Sequence, residues 1–185
     1  MDLDATVYAP GGAPRPAVIL AHGFGGSKAD LDERARELSG RGYVVLAYSA
    51  RGLGTSTGLI SMNSPEFEVA DASAIIDYLA TRDDVLLDGA GDPRVGVAGG
   101  SYGGALALLL AGYDGRVDAV ASDITWNDLQ TSLFGQSGNV DAGEPGVFKS
   151  LWTGNFFGVG VVNRDGTVTE CGRFTPAWCA AYTDA

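Results

Sequence analysis

Short apolar runs alternate with helical patterns along the first two thirds of the chain. The runs occupy residues 18–21, 43–47, 94–98 and 117–121. Runs of this length near glycine or proline are typical of strands buried on both faces of a parallel sheet. Parallel neighbours need crossover connections, and these are right-handed. The alternation therefore predicts an α/β fold in which a mostly parallel sheet carries helices on both faces.

Three helices are predicted between these strands. The first has apolar residues at helical spacing, namely Leu31, Ala35 and Leu38. The second opens at Ser64-Pro65, because proline suits the first turn of a helix. Its predicted apolar face consists of Phe67, Ala70, Ala74, Ile75 and Tyr78, and its carboxylates Asp71 and Asp77 are expected to be solvated or capping. The third, residues 102–113, is apolar almost all round, which predicts burial against the sheet.

The two ends of the chain differ from this pattern. Residues 3–8 alternate weakly before Pro10-Gly11-Gly12, which predicts one arm of an antiparallel hairpin whose partner would precede Met1. After residue 121 the chain becomes glycine-rich and aromatic, with Trp126, Phe134, Phe148, Trp152, Phe156, Phe157, Phe174 and Trp178. We therefore expect residues 1–125 to form the first part of a core, and residues 126–185 a cap-like or lid-like segment.

The charge balance restricts the partners. The 185 residues hold 12 Lys and Arg against 23 Asp and Glu, a net charge of −11. Nucleic acid and anionic membranes are not expected as partners, because binding either needs a basic surface. No apolar run reaches the ~20 residues of a membrane span, and the first residues lack the basic and apolar regions of a signal peptide. The default expectation is a cytoplasmic location, and nothing indicates an oligomeric state.

Three further features suggest a cofactor or metal, and each lacks a required element. A phosphate loop needs glycine directly before its lysine, but in this sequence Ser27 precedes Lys28. The glycines of residues 51–58 are followed by no helix start that could hold a pyrophosphate, so we expect this loop to brace the nucleophile side. Seven residues separate Cys171 from Cys179, which allows two free thiols or one local disulfide but not a Cys-x-x-Cys site. No cofactor and no metal is predicted.

Residues 99–103, Gly99-Gly100-Ser101-Tyr102-Gly103, directly follow a predicted strand and directly precede a predicted helix. This Gly-x-Ser-x-Gly pattern in that context is a nucleophile elbow, in which a strained turn projects the serine hydroxyl above the sheet. Ser101 is therefore the candidate nucleophile. The alternative is a glycine-rich turn that serves only the packing of helix against sheet.

The segment His22-Gly23-Phe24-Gly25-Gly26-Ser27 follows the first central strand. In hydrolases with an elbow, this loop supplies one backbone N–H of the oxyanion hole, and the residue after the nucleophile supplies the other. The two donors would here be Phe24 and Tyr102. We expect His22 to brace this loop by side-chain hydrogen bonds rather than to act as a base.

The ordered set of these segments resembles the α/β-hydrolase superfamily. The residues that carry the resemblance are 22–26, 51–56 and 92–104, and within the superfamily the chain looks like the X-Pro dipeptidyl-peptidase-like and cocaine-esterase-like branch. The resemblance spans about residues 3–125, and residues 124–129 are similar to the entry into that branch's helical cap. It implies Ser101 as nucleophile and the Tyr102 amide as an oxyanion donor. Some members use a tyrosine hydroxyl on the loop after the first central strand, which Phe24 lacks, so its amide is the expected substitute.

The catalytic triad of this fold runs in chain order serine, acid, histidine. No histidine follows Ser101, since His22 is the single histidine of the sequence. Asp123 is interpreted as a polar residue that ends a strand. We therefore expect a fragment that lacks the acid and histidine of its family, whose incomplete sheet leaves an unpaired apolar edge and marginal stability.

Two functions are compatible with these observations. One is a serine hydrolase that cleaves ester or peptide bonds, X-Pro dipeptidyl bonds included, through an acyl-enzyme on Ser101, and that is inactive as this chain alone. The other is a non-catalytic binding or remnant domain. In either case a small molecule or peptide would be the ligand, and Trp126 and Trp152 are candidates for lining its pocket.

Overall fold

The computed structural model describes residues 1–134, 149–163 and 165–183. Phe148 lies outside the described residues, as does the side chain of Phe134. The chain divides into two compact units, Met1–Thr125 and Trp126–Ala185. The first unit contains the sheet and its helices, and the described residues of the second contain helices, connecting turns and one antiparallel bridge, Val162 to Val168.

The described residues of the first unit form a five-stranded sheet in the order β1-β3-β2-β6-β7. Its strands are β1 (Ala5–Tyr8), β2 (Ala17–Ala21), β3 (Val44–Tyr48), β6 (Val95–Gly100) and β7 (Val117–Asp123). The pairs β2–β3, β2–β6 and β6–β7 are parallel, which confirms the predicted mostly parallel sheet. Two short strands that the sequence did not indicate, β4 (Leu87–Gly89) and β5 (Asp92–Pro93), pair antiparallel beside it.

Six α-helices lie in the described ranges. They are α1 (Asp32–Gly40), α2 (Ala70–Ala80), α3 (Tyr102–Tyr113), α4 (Leu129–Phe134), α5 (Ser150–Val161) and α6 (Pro176–Thr183). A 3₁₀ turn over Lys28–Leu31 leads into α1, and a π-helical turn over Pro65–Val69 leads into α2. In the part of the chain that the structure describes, no helix is both long and apolar enough to cross a membrane.

The core lies on both faces of the sheet. All five residues of β3 are buried, as expected for a strand covered by helices on each side. On one face, Ala35 of α1 is fully buried in a cluster with Leu20 and Val45. Helix α3 packs along β6 and β7 and buries residues 102–107, which confirms the predicted burial of this helix against the sheet.

Strand β1 forms an edge of the sheet. It pairs antiparallel with β3, with Ala5 opposite Tyr48 and Tyr8 opposite Val45, and the hairpin partner before Met1 stays a prediction. The residues just before β1 continue the contact, because the Ser49 amide donates to the Asp4 carbonyl oxygen at 2.9 Å. The Asp2 and Thr57 backbones are also joined, the Thr57 amide donating to the Asp2 carbonyl oxygen at 2.9 Å.

The buried face of the second helix also differs from the prediction. The Ser64–Pro65 start is confirmed, since the Ser64 hydroxyl accepts from the Glu66 amide and the proline occupies the first turn. The buried residues, however, are Glu68, Val69, Asp71, Ala72, Ile75, Ile76 and Leu79, so that Ile75 alone is shared with the predicted face. Within α2 the buried stripe has regular helical spacing, at Ala72, Ile75, Ile76 and Leu79. Phe67 and Tyr78 lie instead at the surface beneath arginine guanidinium groups.

Strand β7 forms one edge of the sheet. Within the described residues it pairs with β6 and with no other strand, and its last six residues are exposed.

In the second unit, the turn after α5 is held in three ways. The Phe157 and Phe174 rings stack with centroids 5.1 Å apart, and the Arg173 amide donates to the Gly160 carbonyl oxygen at 2.8 Å. A disulfide joins Cys171 to Cys179 in α6, which decides between the two states that the spacing allowed.

Candidate active site

Ser101 lies between the last residue of β6 and the first residue of α3, at the carboxyl end of the strand. Its backbone has φ 52° and ψ −116°, a left-handed conformation that is strained for a residue with a side chain. The Ser101 amide donates to the Asp123 carbonyl oxygen at 2.9 Å, and its carbonyl oxygen accepts from the Thr125 hydroxyl at 2.7 Å. The neighbouring strand therefore holds this turn in place.

Two glycines make the turn possible. A Cβ at Gly103 would lie 2.1 Å from the Ala21 carbonyl oxygen, and one at Gly99 would lie 2.5 Å from the carbonyl carbon of Gly103. Both approaches are closer than any side chain permits, so strand and helix meet here only without Cβ atoms. This is the geometry that the Gly-x-Ser-x-Gly spacing predicts.

His22 follows β2 and is buried. Its Nε2 accepts the Ala50 amide proton at 2.9 Å, and its Nδ1 lies 2.7 Å from the Gly23 carbonyl oxygen, to which it therefore donates. Burial lowers the pKa of this imidazole, against the smaller opposing effects of the Gly23 carbonyl and of Asp30. Nε2 thus joins the loop to Ala50, the second residue after β3, while Nδ1 contacts the loop's own Gly23, and His22 serves as the brace that the sequence suggested.

Phe24 lies in the turn that His22 braces. The Gly26 amide donates to the Gly23 carbonyl oxygen at 3.0 Å, and Gly25 has φ +81°, as the third residue of a type II turn requires. The Phe24 ring meets the Tyr102 ring edge to face, with centroids 5.3 Å apart. The two residues predicted as oxyanion donors are therefore neighbours across the gap between β2 and α3.

The Tyr102 amide lies at the start of α3. The first amides of a helix have no acceptor within it and lie at the positive end of its dipole, which suits them to hold an anion. The Tyr102 side chain is 1% exposed, and its hydroxyl lies 3.3 Å from Oε1 of Glu68. Burial, with Glu68 nearby, raises the pKa of this phenol well above its usual value.

The loop of residues 51–58 approaches the His22 segment, because a Cβ at Gly54 would lie 3.2 Å from the Ser27 Cβ. Just before the loop, the Ser49 hydroxyl accepts from the Lys28 amide at 3.1 Å. The role of this loop in bracing the nucleophile side stays a prediction. Asp4 joins both segments, accepting from the Lys28 ammonium and from the Thr55 hydroxyl at 2.5 Å each. The sequence shows the glycines of this loop but not which neighbour they approach.

Asp71 is not solvated, contrary to the sequence-based expectation. Its two carboxylate oxygens accept from Nε and Nη2 of Arg51, both at 2.7 Å, and the two side chains are 11% and 10% exposed for Arg51 and Asp71 respectively. Asp71 lies on the buried side of α2, and the arginine at the start of the glycine loop balances its charge. Asp77, by contrast, lies exposed and pairs with Arg116 at 2.7 Å.

Two residues that the sequence did not single out contact Tyr102. Nδ2 of Asn63 donates to the Tyr102 carbonyl oxygen at 2.9 Å, and the Glu68 carboxylate lies against the Tyr102 hydroxyl. A spacing signal for Glu68 existed, because it falls on the same helical stripe as Ala72, Ile75 and Leu79.

The remaining candidate residues gain no assigned role. The Asp123 side chain is exposed, and this residue contributes its carbonyl oxygen to the turn. Trp126 and Trp152 belong to the second unit, where each lies 6.2 Å from the Phe156 ring, so their role as pocket residues stays a prediction. Among the residues that the structure describes, no group of three or more His, Cys, Asp or Glu side chains could hold a metal ion.

Solved structures resemble this fold. The crystal structure of the hypothetical protein PA2218 from Pseudomonas aeruginosa superposes with a TM-score of 0.54 at 23% identity, covering 71% of this chain and 45% of that one. The enol-lactonase from Burkholderia xenovorans LB400 gives a TM-score of 0.51 at 21% identity over 64% of this chain and 41% of that one. These likenesses confirm the α/β-hydrolase fold.

Sequence relatives agree with the fold. The uncharacterized protein PA2218 of Pseudomonas aeruginosa is 29% identical over 143 residues, or 75% of this chain and 37% of that protein. The quorum-quenching protein AidA of Acinetobacter baumannii is 32% identical over 119 residues, or 61% of this chain and 36% of that protein. The chain thus spans little more than a third of the length of these relatives.

A family model extends the match through most of the chain. The family described as X-Pro dipeptidyl-peptidase (S15 family) matches residues 1–151, and these include the His22 segment, the glycine loop and the serine turn. By this match, the chain belongs to the S15 family of X-Pro dipeptidyl-peptidases.

Proposed function

We propose that Ser101 is the nucleophile of a serine hydrolase that cleaves ester or peptide bonds, X-Pro dipeptidyl bonds included, through an acyl-enzyme. The observation that carries the proposal is the left-handed backbone of Ser101 at φ 52°, held between a strand end and a helix start where only glycines fit on either side. A packing turn needs the glycines but does not need a strained serine between them. Membership of a peptidase family supports hydrolysis as the reaction.

In the proposed reaction, Oγ of Ser101 attacks the carbonyl carbon of the substrate and loses its proton to a base. The carbonyl oxygen becomes an oxyanion that accepts from the backbone amides of Phe24 and Tyr102, and the dipole of α3 adds to its stabilisation. Expulsion of the alcohol or amine then leaves an ester on Ser101. Water hydrolyses that ester and restores the hydroxyl.

The base of this reaction is not assigned to a residue of the sequence. His22 is the single histidine, and both of its ring nitrogens are engaged with Gly23 and Ala50. This observation also favours a second candidate function, a non-catalytic binding or remnant domain that keeps the turn and its amides without turnover. The two candidates differ in whether Ser101 reacts once a base is provided.

Fluorophosphonate labelling with added imidazole tests the difference. Oγ of Ser101 attacks phosphorus, fluoride leaves, and dissolved imidazole takes the serine proton. The hydrolase proposal predicts slow labelling of Ser101 that accelerates in proportion to imidazole, located by peptide mapping and lost in Ser101→Ala. Labelling that ignores imidazole, or that persists in Ser101→Ala or in the urea-unfolded chain at the same rate, would favour the binding domain.

A further inference from the structure

Tyr102 is fixed from one side by a single short segment. Nδ2 of Asn63 donates to its carbonyl oxygen at 2.9 Å, and its hydroxyl lies 3.3 Å from Oε1 of Glu68. Asn63 and Glu68 are only five positions apart, whereas Tyr102 follows 39 and 34 positions later in the chain. One segment therefore contacts both the backbone and the side chain of the residue after the proposed nucleophile.

The segment that carries Asn63 is itself strained. Met62 and Asn63 have consecutive left-handed backbones, with φ 54° and 63°. A non-glycine residue in this region is strained and persists only where neighbouring contacts impose it. Asparagine tolerates this conformation better than most residues, while methionine does not.

Glu68 supplies the contacts that impose the strained conformation. Its Oε1 accepts from the Ser61 amide at 2.5 Å and its Oε2 from the Ser64 amide at 3.0 Å, so the carboxylate grips the residues on either side of Met62 and Asn63. The same oxygen that holds Ser61 faces the Tyr102 hydroxyl. One side chain thus shapes the turn that presents Asn63 and also contacts Tyr102.

Such a carboxylate is costly to place here without a purpose. Glu68 is 1% exposed and lies on the otherwise apolar stripe of α2 and its first turn. Burial raises the pKa of its carboxyl, while the Ser61 amide, Arg51 and the Ser64 amide act in the opposite direction. An apolar side chain of similar size would bury more cheaply but could not accept from two amides.

We infer that Asn63 and Glu68, together the elbow clamp, are positioning residues that hold the Tyr102 amide in place for the oxyanion. The inference rests on the proposed function, because it assigns the clamp to that reaction. On the opposite side the Ser101 carbonyl oxygen accepts from the Thr125 hydroxyl, which fixes the peptide plane that contains the Tyr102 N–H. The clamp fixes the next peptide plane through the Tyr102 carbonyl oxygen. The amide therefore lies between two anchored planes, and such a donor needs little reorganisation when charge develops.

The experiment uses the 15N-labelled full chain and phenylboronic acid as the probe. Oγ of Ser101 forms a bond to boron and releases its proton to the solvent, which leaves a tetrahedral boronate anion where the oxyanion would lie. We expect the Tyr102 amide signal to move downfield on titration in the unchanged chain and not in Ser101→Ala. The affinity for phenylboronate should fall at least about tenfold in Asn63→Asp, since misplacement by an ångström has large effects on such sites.

The variants are chosen to separate positioning from stability. Asn63→Asp keeps the shape and the left-handed tolerance but sets an oxygen against the Tyr102 carbonyl oxygen. Glu68→Gln removes one acceptor oxygen. If Glu68→Gln unfolds, Tyr102→Phe still tests the contact, because it removes only the hydroxyl. Val44→Ala is the control, because it opens a cavity in the core at the start of β3, at the opposite end of the sheet from Ser101. It should lower the melting temperature without changing phenylboronate affinity.

The outcomes distinguish the two proposals. If the unchanged chain and Ser101→Ala respond alike to phenylboronate, the proposed function fails. The clamp has its own readout in the free chain, where Asn63→Asp and Glu68→Gln should broaden the Tyr102 amide signal and speed its hydrogen exchange while Val44→Ala does not. The clamp would be overturned if the signal and the hydrogen exchange of the Tyr102 amide were unchanged in both clamp variants. It would also be overturned if Val44→Ala lost as much phenylboronate affinity as a clamp variant with the same drop in melting temperature.

Discussion

Nε2 of His22 accepts the backbone proton of Ala50 across 2.9 Å, which joins the loop after β2 to the residue beyond β3. The contact requires a neutral imidazole, because a protonated ring would set a donor against a donor. It also requires the proton to reside on Nδ1, where Gly23 accepts it. The single histidine of the chain is therefore a pH-sensitive part of the loop that carries Phe24.

Acid should weaken the fold through His22. Burial lowers its folded-state pKa below 6.5, so the unfolded chain binds this proton first as the pH falls. The contribution to stability is complete above pH 6.5 and decreases below it until the folded-state pKa is reached, at up to ~1.4 kcal/mol per pH unit. Denaturant unfolding at pH 8 to 5 should therefore show a steeper decline for the unchanged chain than for His22→Gln. Parallel curves for the two chains would contradict a depressed histidine pKa.

The serine turn should not accept a methyl group at Gly103. Gly103→Ala places Cβ 2.1 Å from the Ala21 carbonyl oxygen, so either β2 or α3 must move, at a cost of about 3 kcal/mol or more. Gly112→Ala in the same helix meets nothing within 4 Å and should gain about 0.5 kcal/mol. Urea unfolding of both variants measures the contrast. Equal stabilities would mean that strand and helix are farther apart than described.

Removing one partner of the Arg51–Asp71 pair should be costly. Asp71→Asn leaves a nearly buried guanidinium without its carboxylate, and loss of a buried partner costs about 3–5 kcal/mol. The matched control is the exposed pair of Arg36 and Asp32, where Arg36→Gln should lower the stability much less, because solvent screens the pair. Thermal and urea unfolding provide the comparison. A loss for Asp71→Asn as small as that for Arg36→Gln would show that water reaches the pair.

The disulfide should stabilise the second unit. It closes a loop over eight positions, and the chain-entropy relation gives about 2–3 kcal/mol for a loop of this size. A reducing agent should lower the melting temperature of the unchanged chain. It should not change the melting temperature of a Cys171→Ala, Cys179→Ala double variant. Free thiols detected in the folded, unreduced chain would refute the bond.

Turnover by the 185 residues alone should be at background. With no base assigned to Ser101, p-nitrophenyl ester hydrolysis should show no burst, and Ser101→Ala should change it little. Oxyanion donors without a working triad leave at most roughly 10³–10⁴-fold over water. Rapid turnover that Ser101→Ala abolishes would mean that a base lies within this chain after all.

The elements that the sequence predicted well depend on local chemistry. The apolar runs of the parallel strands, the glycines around Ser101 and the all-apolar helix of residues 102–113 each carry their signal within a few positions. The elements it missed depend on distant partners. Asp71 is buried because Arg51 faces it, and β1 pairs with β3 some 40 positions later. The sequence offers apolar residues on two sides of α2, and packing against the core selects the side of Ala72, Ile76 and Leu79.

Glu68 shows a middle case. The sequence places it at helical spacing from Ala72, Ile75 and Leu79, but spacing alone does not explain why a glutamate lies among apolar residues. Its role becomes visible only with the amides of Ser61 and Ser64 and the hydroxyl of Tyr102 around it. Spacing alone did not single out Glu68, and its hydrogen-bond partners are visible only in the folded chain.

The hydrogen bonds of the first four residues have a practical consequence for anyone who clones this protein. The Asp4 carbonyl oxygen accepts from the amide of Ser49, which directly precedes Ala50, the hydrogen-bond partner of His22. The Asp4 carboxylate accepts from Lys28 and Thr55. Deleting these residues to attach a tag would release both loops beside Phe24 at once, so an affinity tag belongs ahead of an intact Met1 or at the other end. Trimming the amino terminus would therefore disturb the loops after β2 and β3 without changing a residue in either of them.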